Sequence, residues 1–171
     1  MFLERVIGVF KLDVNTFEEV EHDANATIQA AMVVAAVAFL SAVGSALGAV
    51  IGDGSFFGSF FSSLVWTFIG WFLWSVITYY VGTSLFNGQA TIDEMLRVIG
   101  FAHAPQILGV IPCCGWIVGW IWSLIAGFIA IRQGLDLDNV NTFLTVAIGF
   151  FVYLAGAVVL GLITGGFSLL F

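Results

Sequence analysis

The side chains best suited to chemistry gather in one run, Glu18-Glu19-Val20-Glu21-His22-Asp23. On a helix Glu18 and His22 fall one turn apart, and so do Glu19 and Asp23. Glu19-x-x-His22 also has the spacing used by di-metal carboxylate bundles. Those sites draw on a second such pair, and this chain has no other Glu-x-x-His. Glu19 and His22 are thus the metal candidates, but no metal and no other cofactor is expected. His103 stands in the apolar run Phe101-Ala102-His103-Ala104-Pro105. An ionisable group there is either functional or bonded to a neighbouring helix or to a carbonyl freed by Pro105. Cys113 and Cys114 are adjacent and lie between Pro112 and Gly115, where small residues in a turn account for them. No Ser-His-Asp set, phosphate loop or buried carboxylate pair is present, so no catalytic residue is assigned and an enzyme is not expected.

The elements that position these residues follow from composition. Of 171 residues, 61% are apolar and 9% charged. A soluble domain carries about a quarter charged residues. The net charge of −7 excludes a nucleic-acid partner, which requires a basic surface. Four stretches lack Asp, Glu, Lys and Arg: Ala24 to Gly52, Gly54 to Ile92, Val98 to Ile131 and Asn139 to Phe171. Each exceeds the roughly 20 residues a helix needs to cross hydrocarbon. Alternating barrel-type patterning is absent, so the chain reads as an all-α polytopic membrane protein in contact with the lipid bilayer.

The first stretch predicts a span from about Thr27 to Ile51. In the second, Gly54, Gly58, Ser59, Ser62 and Ser63 predict a loop or interfacial segment, followed by a span to about Leu85. The third is divided by the turn Ile111-Pro112-Cys113-Cys114-Gly115 into helices of about Ile92 to Val110 and Trp116 to Arg132. The fourth predicts a span from about Phe143 to Ile163, with a break at Gly165-Gly166. Five spans with the N-terminus inside put Arg5, Lys11, Arg97 and Arg132 all on the cytosolic side. Four spans would part Arg97 from Arg132. Enrichment of Lys and Arg in the cytosol therefore selects a five-helix bundle with its C-terminus outside.

Ahead of the spans, residues 1–23 form the N-terminal segment. Phe2, Leu3, Val6, Ile7 and Phe10 recur at helical spacing and predict a short interfacial helix. Asn15-x-x-Glu18 and Thr91-x-x-Glu94 have capping-box spacing. Val-Asn-Thr-Phe occurs at Val14 to Phe17 and again at Val140 to Phe143, as reuse of helix-start chemistry. Small residues at every fourth position, Gly44, Gly48 and Gly52 in one span and Gly115, Gly119 and Gly127 in another, predict helix-packing faces, within the chain or between copies. The bulky residues from Trp66 to Tyr80 predict a lipid-facing helix.

By this topology the cytosolic side collects Asp13, Glu18, Glu19, Glu21, His22, Asp23, Asp93, Glu94, Asp136 and Asp138. This acidic face is the candidate surface for a protein partner.

The ordered motifs Phe101-Ala102-x-Ala104-Pro105, Ile111-Pro112-x-x-Gly115-Trp116-Ile117 and Ala130-x-Arg132-Gln133-x-Leu135-Asp136 resemble the Yip1-domain family, in particular its short bacterial members. The acidic start from Asp13 to Asp23 resembles it too. The resemblance implies a single domain over residues 1–171, a five-span bundle and a cytosolic N-terminus. Eukaryotic relatives act in vesicle traffic and associate with Rab-type GTPases, and they carry a longer N-terminal region with an aromatic, Pro-containing motif. No such region is read here, so a GTPase partner is not expected. The chain is expected to work as a non-enzymatic scaffold or partner-binding subunit in a bacterial plasma membrane, with self-association possible through its small-residue faces. The alternatives are an oligomeric channel or transporter and an accessory subunit of a larger membrane complex.

Overall fold

Helix α1 (Phe2–Phe10) and helix α2 (Val14–His22) precede the long apolar helices α3 (Ala26–Ile51) and α4 (Phe56–Phe86). A short helix α5 (Ile92–Ala102) continues into a 3-10 segment (Ala104–Val110), and α6 (Gly115–Gly134) and α7 (Asn139–Ser168) complete the chain. This computed structural model describes residues 2–52, 54–111 and 115–168, with side chains at all of these except 157 and 160–168. No strand occurs among the described residues.

Caps explain most boundaries. Asp13 begins α2 by accepting from the Asn15 amide, so the cap lies two residues before the expected Asn15. Thr91 and Glu94 form the reciprocal capping box of α5. Asp138 accepts from the Asn141 amide at 2.9 Å at the start of α7. Both Val-Asn-Thr-Phe copies thus open helices headed by an Asp. Helix α4 ends where Asn87 adopts the left-handed conformation, with φ of 56°, a geometry that Asn tolerates.

Three expectations change. Helix α4 begins at Phe56, so the expected loop before Ser63 is helical. Ser55 caps it through the Gly58 amide at 3.2 Å, and away from water the helix offers the only partners for the backbone. Helix α7 runs through Gly165-Gly166 without a break. The expected third span is α-helical only to Ala102. Among the described residues four helical stretches, α3, α4, α6 and Asn139–Gly156 of α7, are long and apolar enough to cross a membrane.

The change of winding after Ala102 has a local cause. Pro105 has no N–H to donate to the Phe101 carbonyl. The following amides shift to i−3 acceptors, as in Gln106 N–H to the His103 carbonyl at 2.9 Å. Side chains satisfy two of the carbonyls left over. His103 Nδ1 donates to Ile99 at 2.8 Å, and the Ser123 hydroxyl on α6 donates to Ala102.

In the bundle, α3 packs on α4 and α5, α6 on α5 and the 3-10 segment, and α7 mainly on α4. Helices α1 and α2 lie across α5 and α6. Phe17, Val20, Met95, Val98, Phe101, Ile131 and Leu135 are buried together there. Trp122 Nε1 donates to the Phe10 carbonyl at 2.9 Å and fastens the end of α1 to α6. Glycines allow the close approaches. A Cβ at Gly100 would come within 2.8 Å of the Ala30 Cβ, and one at Gly134 within 2.9 Å of Val98. Large apolar side chains such as Phe57, Phe61, Trp66, Trp116 and Phe151 remain exposed, as lipid-facing surface requires.

Candidate functional site

The acidic segments meet at the end of the bundle that carries α2, and two buried arginines organise it. Arg5 is 4% exposed. Its Nε and Nη2 donate to Glu19 Oε1 at 2.9 and 2.7 Å, its Nη2 also to Asp23 Oδ2 at 2.7 Å, and its Nη1 to Gln29 Oε1 at 3.0 Å. One guanidinium therefore ties α1 to α2 and α3. Arg97, 7% exposed, donates through Nε and Nη2 to the Glu21 backbone carbonyl at 3.1 and 2.5 Å. Its Nη1 reaches Thr27 Oγ1 at 3.5 Å, and Glu94 lies 3.9 Å away. A cation thus caps the C-terminal end of α2, where carbonyls lack helical partners and the dipole is negative.

Packing brings separate segments to this end: α2 lies against α5 and α6, and the Gln89 amide ahead of α5 donates to the Leu135 carbonyl at 3.0 Å. Burial pushes the Glu21 carboxyl up to about 7. The nearby His22 opposes that shift, while Asp136, Glu94 and Glu18 add to it. The run from Glu18 to Asp23, the start of α5 and the α6–α7 connection therefore lie within Coulombic reach of one another. His22 is raised, first by the bond of Nδ1 to the Glu18 carbonyl at 2.9 Å and then by Glu21. Asp23 is lowered, first by Arg5 and then by the Asn25 amide. Glu18, Asp93, Asp136 and Asp138 are exposed. Asp13 is exposed and caps α2, and Asp136 adopts φ of 53° in the turn between α6 and α7.

Glu19 and His22 do not converge on a common point: Glu19 accepts from Arg5, whereas His22 bonds backward along its own helix. Among the described residues no group of three or more His, Cys, Asp and Glu is placed to hold a metal ion.

At mid-bundle, His103 and Pro105 stand at the junction of α5 and the 3-10 segment. His103, with Gln106 and Ser123, borders a cavity of about 150 Å³ between α4, α5, α6 and α7. Pro112, Cys113 and Cys114 lie outside the described residues. Gly115 packs beneath Leu108 and Ile111, and a Cβ on Gly119 would come within 2.7 Å of the Pro105 carbonyl oxygen. Gly44, Gly48 and Gly127 meet nothing within 4 Å of such a Cβ, and at Gly52 only its own helix lies nearby.

The inward-facing Arg5 and Arg97 escape a reading that uses cations as topological markers. Their signal is position. Both lie on strongly amphipathic helices among apolar neighbours, where an unpartnered guanidinium is costly. Gln106 and Ser123 have no comparable signal, since their pairing follows from the changed winding.

No curated protein and no solved structure matches the chain. A family model described as the Yip1 domain matches residues 7–163, from the middle of α1 into the last turns of α7. That match takes in the buried Arg97, the His103-Pro105 junction and most or all of each of the four long apolar helices, and begins just after Arg5; by it the chain belongs to the Yip1 domain family.

Proposed function

We propose that the protein is a non-enzymatic membrane scaffold that binds a basic cytosolic segment of a partner protein through its acidic end. The observation that carries this reading is the internal use of Arg5 and Arg97. Both guanidinium groups are buried against the protein's own acceptors, so they do not neutralise the outer carboxylates of Glu18, Asp93, Asp136 and Asp138. An uncompensated acidic surface attracts and orients a basic partner. It also stays off an anionic inner leaflet.

The same reading uses five crossings, with the N-terminus inside and the C-terminus outside a bacterial plasma membrane. Helix α5 alone rises about 16 Å, but the looser 3-10 winding adds about 14 Å. Ile92 to Val110 then reaches about 30 Å, as far as the 20 residues of α6. Helix α1 lies in the inner interface, with Leu3 and Ile7 exposed toward lipid.

The test is cross-linking in native membranes with the triple variant Glu18→Gln, Asp93→Asn, Asp136→Asn, which spares the carboxylates that hold Arg5. A specific partner cross-linked through a basic segment should be lost at least tenfold. Undiminished capture overturns the acidic-face reading. Tag accessibility at both chain ends tests the topology separately, because ends on one side would exclude an odd number of crossings.

A second reading has its own observation. Gly44 meets no neighbour and borders an open groove of about 530 Å³ between α3, the 3-10 segment and α6. Close approach of a second copy there is the route to an oligomeric assembly, including a channel. Cross-linking between copies at Gly44→Cys separates this from a single-copy scaffold.

A further inference from the structure

The cavity beside His103 has a composition that selects its occupant. Trp74, Trp120 and Phe128 supply aromatic walls, and His103, Gln106 and Ser123 the polar edge. Its volume of about 150 Å³ equals that of an engineered protein cavity that takes up benzene. Trp120 and Leu124, at its border, are exposed at mid-helix in α6, so the mouth faces lipid rather than water.

Hydrogen-bond accounting then gives the polarity of the ligand. His103 Nδ1 donates to the Ile99 carbonyl at 2.8 Å, which makes the ring the Nδ1–H tautomer. Its Nε2 is left as an acceptor with no protein partner among the described residues. Gln106 Nε2 donates to Ser123 Oγ at 3.3 Å, and the Ser123 hydroxyl is committed to the Ala102 carbonyl. The Gln106 carbonyl oxygen is the second spare acceptor. No charged side chain lines the space. The site therefore offers two acceptors and aromatic surface to a neutral ring that brings its own donors.

The geometry points to a binding site for the hydroxylated aromatic ring of a lipid-soluble phenol or hydroquinone, entering from the bilayer between α6 and α7. The ring packs edge or face against the two indoles, and its hydroxyl donates to His103 Nε2. This goes beyond the scaffold reading and does not depend on the acidic end.

The experiment uses the full-length protein in nanodiscs, with hydroquinone under anaerobic conditions as probe and para-dimethoxybenzene as the same ring without donors. Saturable quenching of tryptophan fluorescence and a rise in unfolding temperature are the readouts. Hydroquinone should bind about tenfold more tightly than the ether, the value of one buried hydrogen bond. His103→Phe should abolish that preference. Gly127→Leu fills the cavity from a position where an added Cβ meets nothing within 4 Å, so it should fold normally and lose binding. Equal affinity for the two probes, no saturable binding of hydroquinone, or undiminished binding by Gly127→Leu each overturns the assignment. If His103→Phe fails to fold, the probe comparison and Gly127→Leu decide alone.

Discussion

Replacing Arg97 by Met removes a cation from the C-terminal end of α2 while keeping much of the apolar stem. Two of its N–H groups share the Glu21 carbonyl at 3.1 and 2.5 Å, and a third approaches Thr27 Oγ1 at 3.5 Å. Hydrogen bonds from a charged donor contribute about 1.5–3 kcal/mol each, but two on one acceptor count for little more than one. The loss of the favourable helix-dipole interaction adds up to about 1 kcal/mol. The sum is about 3 kcal/mol, and it falls on the docking of α2 rather than on the long apolar helices. Hydrogen exchange resolves such local opening. Amides of Val14–His22 should exchange about 150-fold faster in Arg97→Met, at 1.4 kcal/mol per factor of ten, while those of α4 stay unchanged. Arg97→Lys, which keeps the charge but not the fork, should fall between. If α2 exchanges within threefold of wild type in Arg97→Met, the guanidinium does not hold the helix and the account of the charged end is refuted.

Glu21 should make stability fall as pH rises. Its folded pKa of about 7 lies above its ordinary 4.5, so its contribution is fully present below 4.5 and is lost through 7. On the order of 3 kcal/mol is involved, and unfolding measured at pH 5 and pH 8 should show that decline flattened in Glu21→Gln. Gly119→Val should cost about 1–3 kcal/mol, because a Cβ there meets the Pro105 carbonyl at 2.7 Å, whereas Gly44→Ala should leave the unfolding temperature within about a degree of wild type or raise it. Ser123→Ala strands the Ala102 carbonyl and the Gln106 amide, and a loss of about 1–3 kcal/mol should appear in thermal unfolding in the same detergent.

Much of this architecture is legible from local chemistry. The capping box at Thr91 and Glu94 needs four residues, and the structure forms it as spaced. Helix α6 lies within two residues of its expected bounds, because a charge-free run flanked by Gly115 and Arg132 has one way to satisfy its backbone in lipid. The helical start of α4 was hidden by Gly54, Gly58 and the serines, which mark loops in water but not where helix is the only source of backbone partners. Pro105 announces a disturbance without saying which winding follows. His103 illustrates the limit best. Both of its readings, carbonyl partner and functional group, were open from sequence, and the bond to Ile99 is now visible while Nε2 remains unused by the protein. The acidic end was legible as a set of charges but not as a network, because Arg97 meets its acceptor 76 positions away.

The clasp between Phe10 and Trp122 also sets a schedule for biosynthesis. The ribosome emits α1 first, but its fastening point is made 112 residues later. At about 5–20 residues per second, α1 waits roughly 6–20 s before Trp122 exists to receive it. Throughout that interval the inner apolar edge of Phe2, Val6, Val9 and Phe10 lacks the completed core it packs on. The nascent protein must park this helix on the bilayer surface or on an insertion factor, and a truncation before Trp122 would leave it parked there.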